Sequence, residues 1–248
     1  MNHFAPRAFA SPAYGRFLAR LTAHTKLSKE ERQEILGLSG QVAELAAGAD
    51  IFGPNTAVAH GILVTRGVIT QFDEAKDGRR KATSLYVPGE MCGLQSIEYP
   101  ATTLGLSAFT SCSVIYVPHD QLKRLVEDFP EIRRAFWREM AIEAAIQAKW
   151  TGNAVLKDAL PRTAHFLCEL GHRMEDSGAV GRSNFALKTN QTQLAQAIGL
   201  TVVHMNRVLR QLREAELIST DKRMIIVKDW GALADVADFD PSYLHPAS

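Results

Sequence analysis

The stretch Asn190–Leu217, NQTQLAQAIGLTVVHMNRVLRQLREAEL, decides how the C-terminal part of the chain is read. Asn190 can cap a helix in which Leu194, Ala195 and Ile198 fall on one face, because residues three and four apart share a helix side. Gly199 comes next, and a residue without a side chain permits the tight turn that ends a helix. Thr201 can cap a second helix with Met205, Val208, Leu209 and Leu212 inward and Val202, Val203, His204, Asn206, Arg207 and Arg210 outward. Two helices joined by a short Gly-containing turn, with the small Ala195 where they would cross, are the local arrangement of a helix-turn-helix.

Downstream, Leu217–Thr220 and Met224–Val227 read as short strands around Asp221-Lys222-Arg223, which predicts a wing. From Arg182 to Lys228 eight basic residues face three acidic ones, whereas the region from Asp158 to the end carries ten basic and eleven acidic residues. Positive charge is therefore concentrated where a nucleic-acid backbone would be neutralised. Arg207 and Arg210 suit phosphate or guanine, and His204 and Asn206 can pair with base edges. Val202 and Val203 can meet thymine methyl groups or pack under the wing. With Asn190, Gln191 and Thr201 at the helix starts and Lys222 and Arg223 at the wing, these are the candidate DNA-binding residues. A protein-contacting winged fold is the bland alternative.

Working towards the N-terminus, Leu160–Met174 is helical, with Ala164, Phe166, Leu167 and Leu170 as its buried side. Before it, a stretch from near Pro130 runs without Gly or Pro until Gly152. Ile132, Phe136, Ile142 and Ile146 recur there roughly as a coiled-coil seam, which predicts self-pairing in a homodimer; a helix packed inside a monomer is the alternative. Between about Val42 and Val117 the pattern changes to β-rich runs, at Gly61–Val64, Val68–Phe72, Ala82–Val87 and Ser113–Val117, with Asp77-Gly78 placed for a hairpin turn. Many short strands at this spacing predict a roll or barrel. Two short helices, from Ala13 to about Leu45, precede it.

The 248 residues are enough for two ordinary domains, and 46% hydrophobic with 22% charged residues excludes a disordered or membrane-embedded chain. A net charge of +1 excludes nothing by itself. Cys92, Cys112 and Cys168 are odd in number and far apart, matching neither a disulfide framework nor zinc spacing, so a reducing compartment is expected. No apolar run approaches the ~20 residues of a membrane span, and MNHFAPRAFASPAYGRF offers no apolar export segment. A cytoplasmic location follows.

Three segments resemble the family of the catabolite activator protein and the fumarate and nitrate reductase regulator, Crp/Fnr: Gln193–Thr201 (QLAQAIGLT), Asn206–Leu212 (NRVLRQL) and Pro88–Gly93 (PGEMCG). The resemblance covers nearly the whole chain. It implies an α+β protein with an N-terminal jelly-roll of the cyclic-nucleotide-binding type (residues 1–128 with its helical start), a dimerisation helix (129–157) and a winged helix-turn-helix (158–248). Implied partners are double-stranded DNA at a palindromic promoter site, a second copy of the chain, and RNA polymerase if it activates.

The departures from that family matter as much. Where cyclic-AMP-binding members carry a ribose-holding Glu, this chain has Leu94; where they carry an Arg-Ser or Arg-Thr pair it has Thr102-Thr103, with no Arg between Gly93 and Ser113. A buried phosphate without a cation is poorly compensated, so an effector pocket at Gly93, Leu94, Gln95, Thr102 and Thr103 is not expected to take cyclic AMP in the usual manner. No cysteine precedes Cys92, against the N-terminal cluster of iron–sulfur members. Cys92 and Cys112 are either redox-responsive or small core hydrophobes. In the second helix Val202-Val203 replaces a frequent Arg-Glu pair.

Two other functional classes are open to a chain of this kind. A small-molecule-sensing module that contacts protein is opposed by Arg207, Arg210 and the basic wing. An enzyme is opposed by the eight histidines, which show no HExxH or paired-ligand spacing, and by the lack of a Gly-rich phosphate loop or nucleophile elbow. No metal or cofactor is expected.

Overall fold

The computed structural model describes residues 11–181, 185–222 and 224–245. Arg182 and Arg223, both counted in the basic excess, lie outside the described residues. Two compact units form, one from the chain up to Gln71 together with Leu85–Glu143, the other from Phe72–Ser84 together with the chain from Ala144. Among the described residues no helix is long and apolar enough to cross a membrane.

The first unit opens with α1 (Ser11–His24) and α2 (Lys29–Leu36). Ser28 and Glu31 start α2 with a reciprocal capping box, at 3.2 Å and 2.7 Å, which satisfies two otherwise orphaned backbone donors. Ten strands follow along the chain: β1 (Gln41–Leu45), β2 (Asp50–Phe52), β3 (Thr56–Ala57), β4 (His60–Arg66), β5 (Ile69–Glu74), β6 (Arg80–Tyr86), β7 (Met91–Cys92), β8 (Ala101–Thr102), β9 (Gly105–Ala108) and β10 (Cys112–Pro118), the end of β5 and most of β6 falling in the second unit's Phe72–Ser84 segment. They assemble as β1-β10-β4-β7, β2-β9-β5-β6 and the short pair β3-β8, the expected roll. At the β5–β6 hairpin Gly78 takes φ 80° and donates to the Ala75 carbonyl at 2.8 Å, so the Asp-Gly pair does turn the chain. Gly67, between β4 and β5, has φ 79°, and a Cβ there would stand 2.4 Å from the Ser111 carbonyl oxygen. Both the conformation and the space demand glycine.

β4 shows why its sequence is a run of apolar residues without alternation. Ile62 and Val64 pack with Ile69, Leu106 and Val114 inside the roll. Leu63 points the other way, into a core with Tyr14, Phe17, Val117, Leu122 and Phe136. A strand buried on both faces needs apolar residues at every position. That second core is completed by α3 (His119–Asp128) and the first half of α4 (Pro130–Leu156).

Here one expectation is corrected. Ile132, Phe136, Ile142 and Ile146 are 0–2% exposed in the isolated chain, and Ile132 and Phe136 belong to the core with α1 and α3. They are not a seam for a partner, because their apolar surface is already covered. Pro130, Arg134, Trp137, Ala141, Ala144, Ala148, Thr151 and Val155 are exposed instead, spaced alternately four and three residues apart. That is a heptad stripe on the opposite side of the helix.

The second unit contains α5 (Ala159–Asp176), β11 (Ala186–Lys188), α6 (Gln191–Ile198), α7 (Val202–Glu214), β12 (Ile218–Asp221), β13 (Met224–Val227) and α8 (Trp230–Ala237), closed by a 3₁₀ turn at Pro241–Leu244. The wing strands pair in register from Ile218↔Val227 to Asp221↔Met224, and β11 adds a third strand beside β13. The expected buried side of α5 is buried, but so is every residue from Thr163 to Met174. The reason is α8, which packs along α5. A Cβ on Gly171 would meet the Trp230 ring at 2.5 Å and 2.7 Å, so the glycine is what lets α8 come so close.

Candidate nucleic-acid interface

The local chemistry that builds α6 and α7 follows the sequence closely. Asn190 Oδ1 accepts from Gln193 N–H at 2.8 Å while Asn190 N–H donates to Gln193 Oε1 at 3.3 Å. Gly199 ends α6 in the left-handed conformation, φ 77°, with its N–H on the Ala195 carbonyl. Thr201 Oγ1 then accepts from His204 N–H at 3.2 Å and starts α7. These side chains are occupied as caps, so Asn190 and Thr201 position the helices before they can contact anything else.

The inward set of α7, Met205, Val208, Leu209 and Leu212, is at most 2% exposed. Asn206, Arg207 and Arg210 are exposed and His204 is half-buried. Val203 is 81% exposed and Val202 39%, which removes the option that they pack under the wing. Arg207 and Arg210 lie one turn apart, and the ion pair of Arg210 with Glu214 at 3.8 Å is well exposed. Such a pair contributes little and leaves the guanidinium available. Lys222 stands exposed at the wing turn with φ 52°, and Arg223 lies outside the described residues. Gln191 is exposed at the first turn of α6. The sequence reading missed Thr192 and Gln196, also exposed on α6, and Gln211 on α7; the signal was the polar side of each helical period.

The residues expected at an effector pocket differ in their exposure. Leu94 is 5% exposed and packs in the core with Met91, Ile97 and Leu122. Gly93 has φ 81° and its carbonyl accepts from Ser96 Oγ at 2.5 Å. Gln95 and Thr103 are exposed, and the Thr102 hydroxyl donates to the Leu104 carbonyl at 3.1 Å. Cys92 and Cys112 are at most 1% exposed. Burial pushes the Cys92 thiol well up and the Cys112 thiol up to about 11, so neither supplies the accessible thiolate that redox chemistry requires.

Residues 161–236 match the Crp-like helix-turn-helix domain family model. Among curated relatives, the transcriptional activator protein Anr of Pseudomonas protegens is 23% identical over 212 residues, 86% of each chain. The nitrogen fixation regulation protein FixK of Azorhizobium caulinodans is 24% identical over 239 residues, 93% of this chain and 94% of the relative. Among solved structures, FixK2 from Bradyrhizobium japonicum superposes with a TM-score of 0.69 at 21% identity, over 80% of this chain and 98% of the other, a likeness of fold.

Proposed function

Because the chain is a DNA-binding transcriptional regulator of the Crp/Fnr family, we propose that it works as a homodimer that inserts α7 from each protomer into successive major grooves of a two-fold promoter site. The observation that carries this reading is the outward face of α7, where Val203, Asn206, Arg207 and Arg210 stand exposed on a helix capped and buried on its other side. Arg207 and Arg210 supply phosphate contact or bidentate pairing with guanine, Asn206 pairs with a base edge, and Val202-Val203 meets thymine methyl groups. Lys222 reaches the backbone from the wing. No step in this cycle is catalytic, and a cytoplasmic location fits it. RNA polymerase is the third partner wherever the site lies so as to activate.

Leu94 in the core and the lack of an Arg from Gly93 to Ser113 argue that cyclic nucleotides do not control the protein in the usual way. Selection of bound duplexes from a random pool tests both parts. An enriched inverted repeat is expected, with half-sites about one helical turn apart, unchanged by cyclic AMP or cyclic GMP. A pool without enrichment would overturn the DNA reading; enrichment that needs either nucleotide would overturn the effector reading.

The dimer is assigned to the exposed stripe of α4. Ala141, Ala144 and Ala148 let two helices approach closely, and Trp137, 63% exposed, and Val155, 81% exposed, bring apolar area to either end. Ala144→Glu/Ala148→Glu is expected to leave the fold intact, because both side chains face water in the single chain, and to convert the protein to monomers in sedimentation velocity. A variant that stays dimeric would move the interface off this stripe.

A further inference from the structure

Two of the histidines that show no paired-ligand spacing in sequence are brought together by the fold. His172 and Asp176 sit one turn apart near the end of α5, and His245 arrives from the residue after the 3₁₀ turn Pro241–Leu244. His172 Nε2 and His245 Nε2 are 3.1 Å apart. The same oxygen, Asp176 Oδ2, lies 3.5 Å from the first and 3.0 Å from the second.

We propose that His172, Asp176 and His245 form a binding site for a first-row divalent transition metal of the zinc type. Three ligand atoms on a tetrahedral zinc ion, with bonds of about 2.0–2.1 Å, stand about 3.3 Å from one another. The observed triangle is within a few tenths of an ångström of that on every edge, so an ion can sit over its centre without any side chain moving far. Two imidazoles with one carboxylate select such an ion over magnesium or calcium, which favour all-oxygen shells. His172, 8% exposed, gives the site a fixed floor. The Asp176 and His245 side chains, 33% and 41% exposed, leave the remaining coordination position to water. The simpler account is a hydrogen-bonded triad in which His245 Nε2–H donates to Asp176. It does not require two imidazoles to aim the same nitrogen at one carboxylate oxygen, and a metal ion does.

The site would tie the end of the chain to α5, the helix on which α7 packs. Loading therefore stabilises the recognition domain by mass action on the folded state. This inference is independent of which DNA the protein reads.

The test uses the full chain, stripped with a chelator and dialysed. Zinc titrated in competition with a chromophoric chelator should bind at one equivalent per chain, and Co²⁺ should give the visible bands of a low-symmetry N/O site. Saturating zinc should raise Tm by roughly 5–10 °C. His245→Ala and Asp176→Asn alter exposed side chains, so the fold should be kept, which circular dichroism checks. Each is expected to weaken zinc at least about a hundred-fold, ligand loss being no milder than the loss of an outer-shell partner, and to abolish the rise in Tm. A parent chain that binds no stoichiometric zinc, or variants that bind it as tightly as the parent, would overturn the proposal.

Discussion

Arg207→Ala/Arg210→Ala is expected to weaken binding to the selected duplex by roughly 10²–10³-fold at moderate salt, since each lost phosphate or guanine contact costs about 1–3 kcal/mol. Both side chains are exposed and neither holds the core, so far-UV circular dichroism and Tm should match the parent. The salt dependence separates their roles. A phosphate contact that disappears lowers the slope of log K against log salt by about 0.9 for each protomer, whereas a lost guanine contact lowers affinity for the selected site and spares random duplex. Fluorescence anisotropy at several salt concentrations, on both duplexes, reads all of this. Parent-like affinity in the double variant would place the DNA contact somewhere other than α7, and the protein-contact alternative would then be the one to pursue.

What the sequence disclosed, and what it hid, follows the range of the interactions. The caps at Asn190 and Thr201, the turn at Gly199 and the inward stripe of α7 depend on residues within four positions of each other, and each formed as read. The strongest strands, β4, β5, β6 and β10, were legible for the same reason. β2, β3, β7, β8 and β9 are two to four residues long and exist because longer strands and turns hold them; no periodicity develops over such a length. The long helix was legible as a helix, but not that its stripe of large apolar residues is the covered one. Ile132 and Phe136 are larger and more apolar than Ala141 and Ala144, so hydrophobicity drew attention to the side that α1 and α3 cover. The stripe left exposed has the small residues Ala141, Ala144 and Ala148 at its middle, which stand out only once the covered side is known. α8 and the tail beyond it were absent from the reading altogether, and with them the reason α5 is enclosed on all sides.

That enclosure creates the second large expected effect. Glu169 is 1% exposed, and its carboxylate accepts from Trp150 Nε1 at 2.9 Å, from the Tyr243 hydroxyl at 2.6 Å and from Arg173 Nη1 at 3.0 Å. His165 Nε2 meets the same hydroxyl at 3.2 Å, and burial lowers its pKa to about 4, so the ring is neutral at pH 7 and adds no second positive charge. Arg173, 3% exposed, thus has its negative counterpart one helical turn away in a place with little water. Glu169→Leu removes that carboxylate and with it the acceptor for the part-buried Trp150 and Tyr243 donors. Breaking a buried pair from one side costs about 3–5 kcal/mol. Much of an ordinary domain's stability is consumed by that loss, and the recognition domain is expected to melt well below the parent or to be unfolded at 37 °C. Glu169→Gln should be milder, since an amide oxygen can still accept from Tyr243 or Trp150. Adding Arg173→Leu to Glu169→Leu should recover part of the loss, giving a double-mutant cycle with a coupling of about 1–3 kcal/mol. Thermal melts followed by circular dichroism, with DNA binding measured below each transition, distinguish this from the arginine variants. Glu169→Leu should lose DNA by losing the scaffold of α7, whereas Arg207→Ala/Arg210→Ala should lose it with the scaffold intact. If Glu169→Leu melts with the parent, the carboxylate is a passenger in the domain core, and α8 together with the apolar face of α5 holds the domain alone.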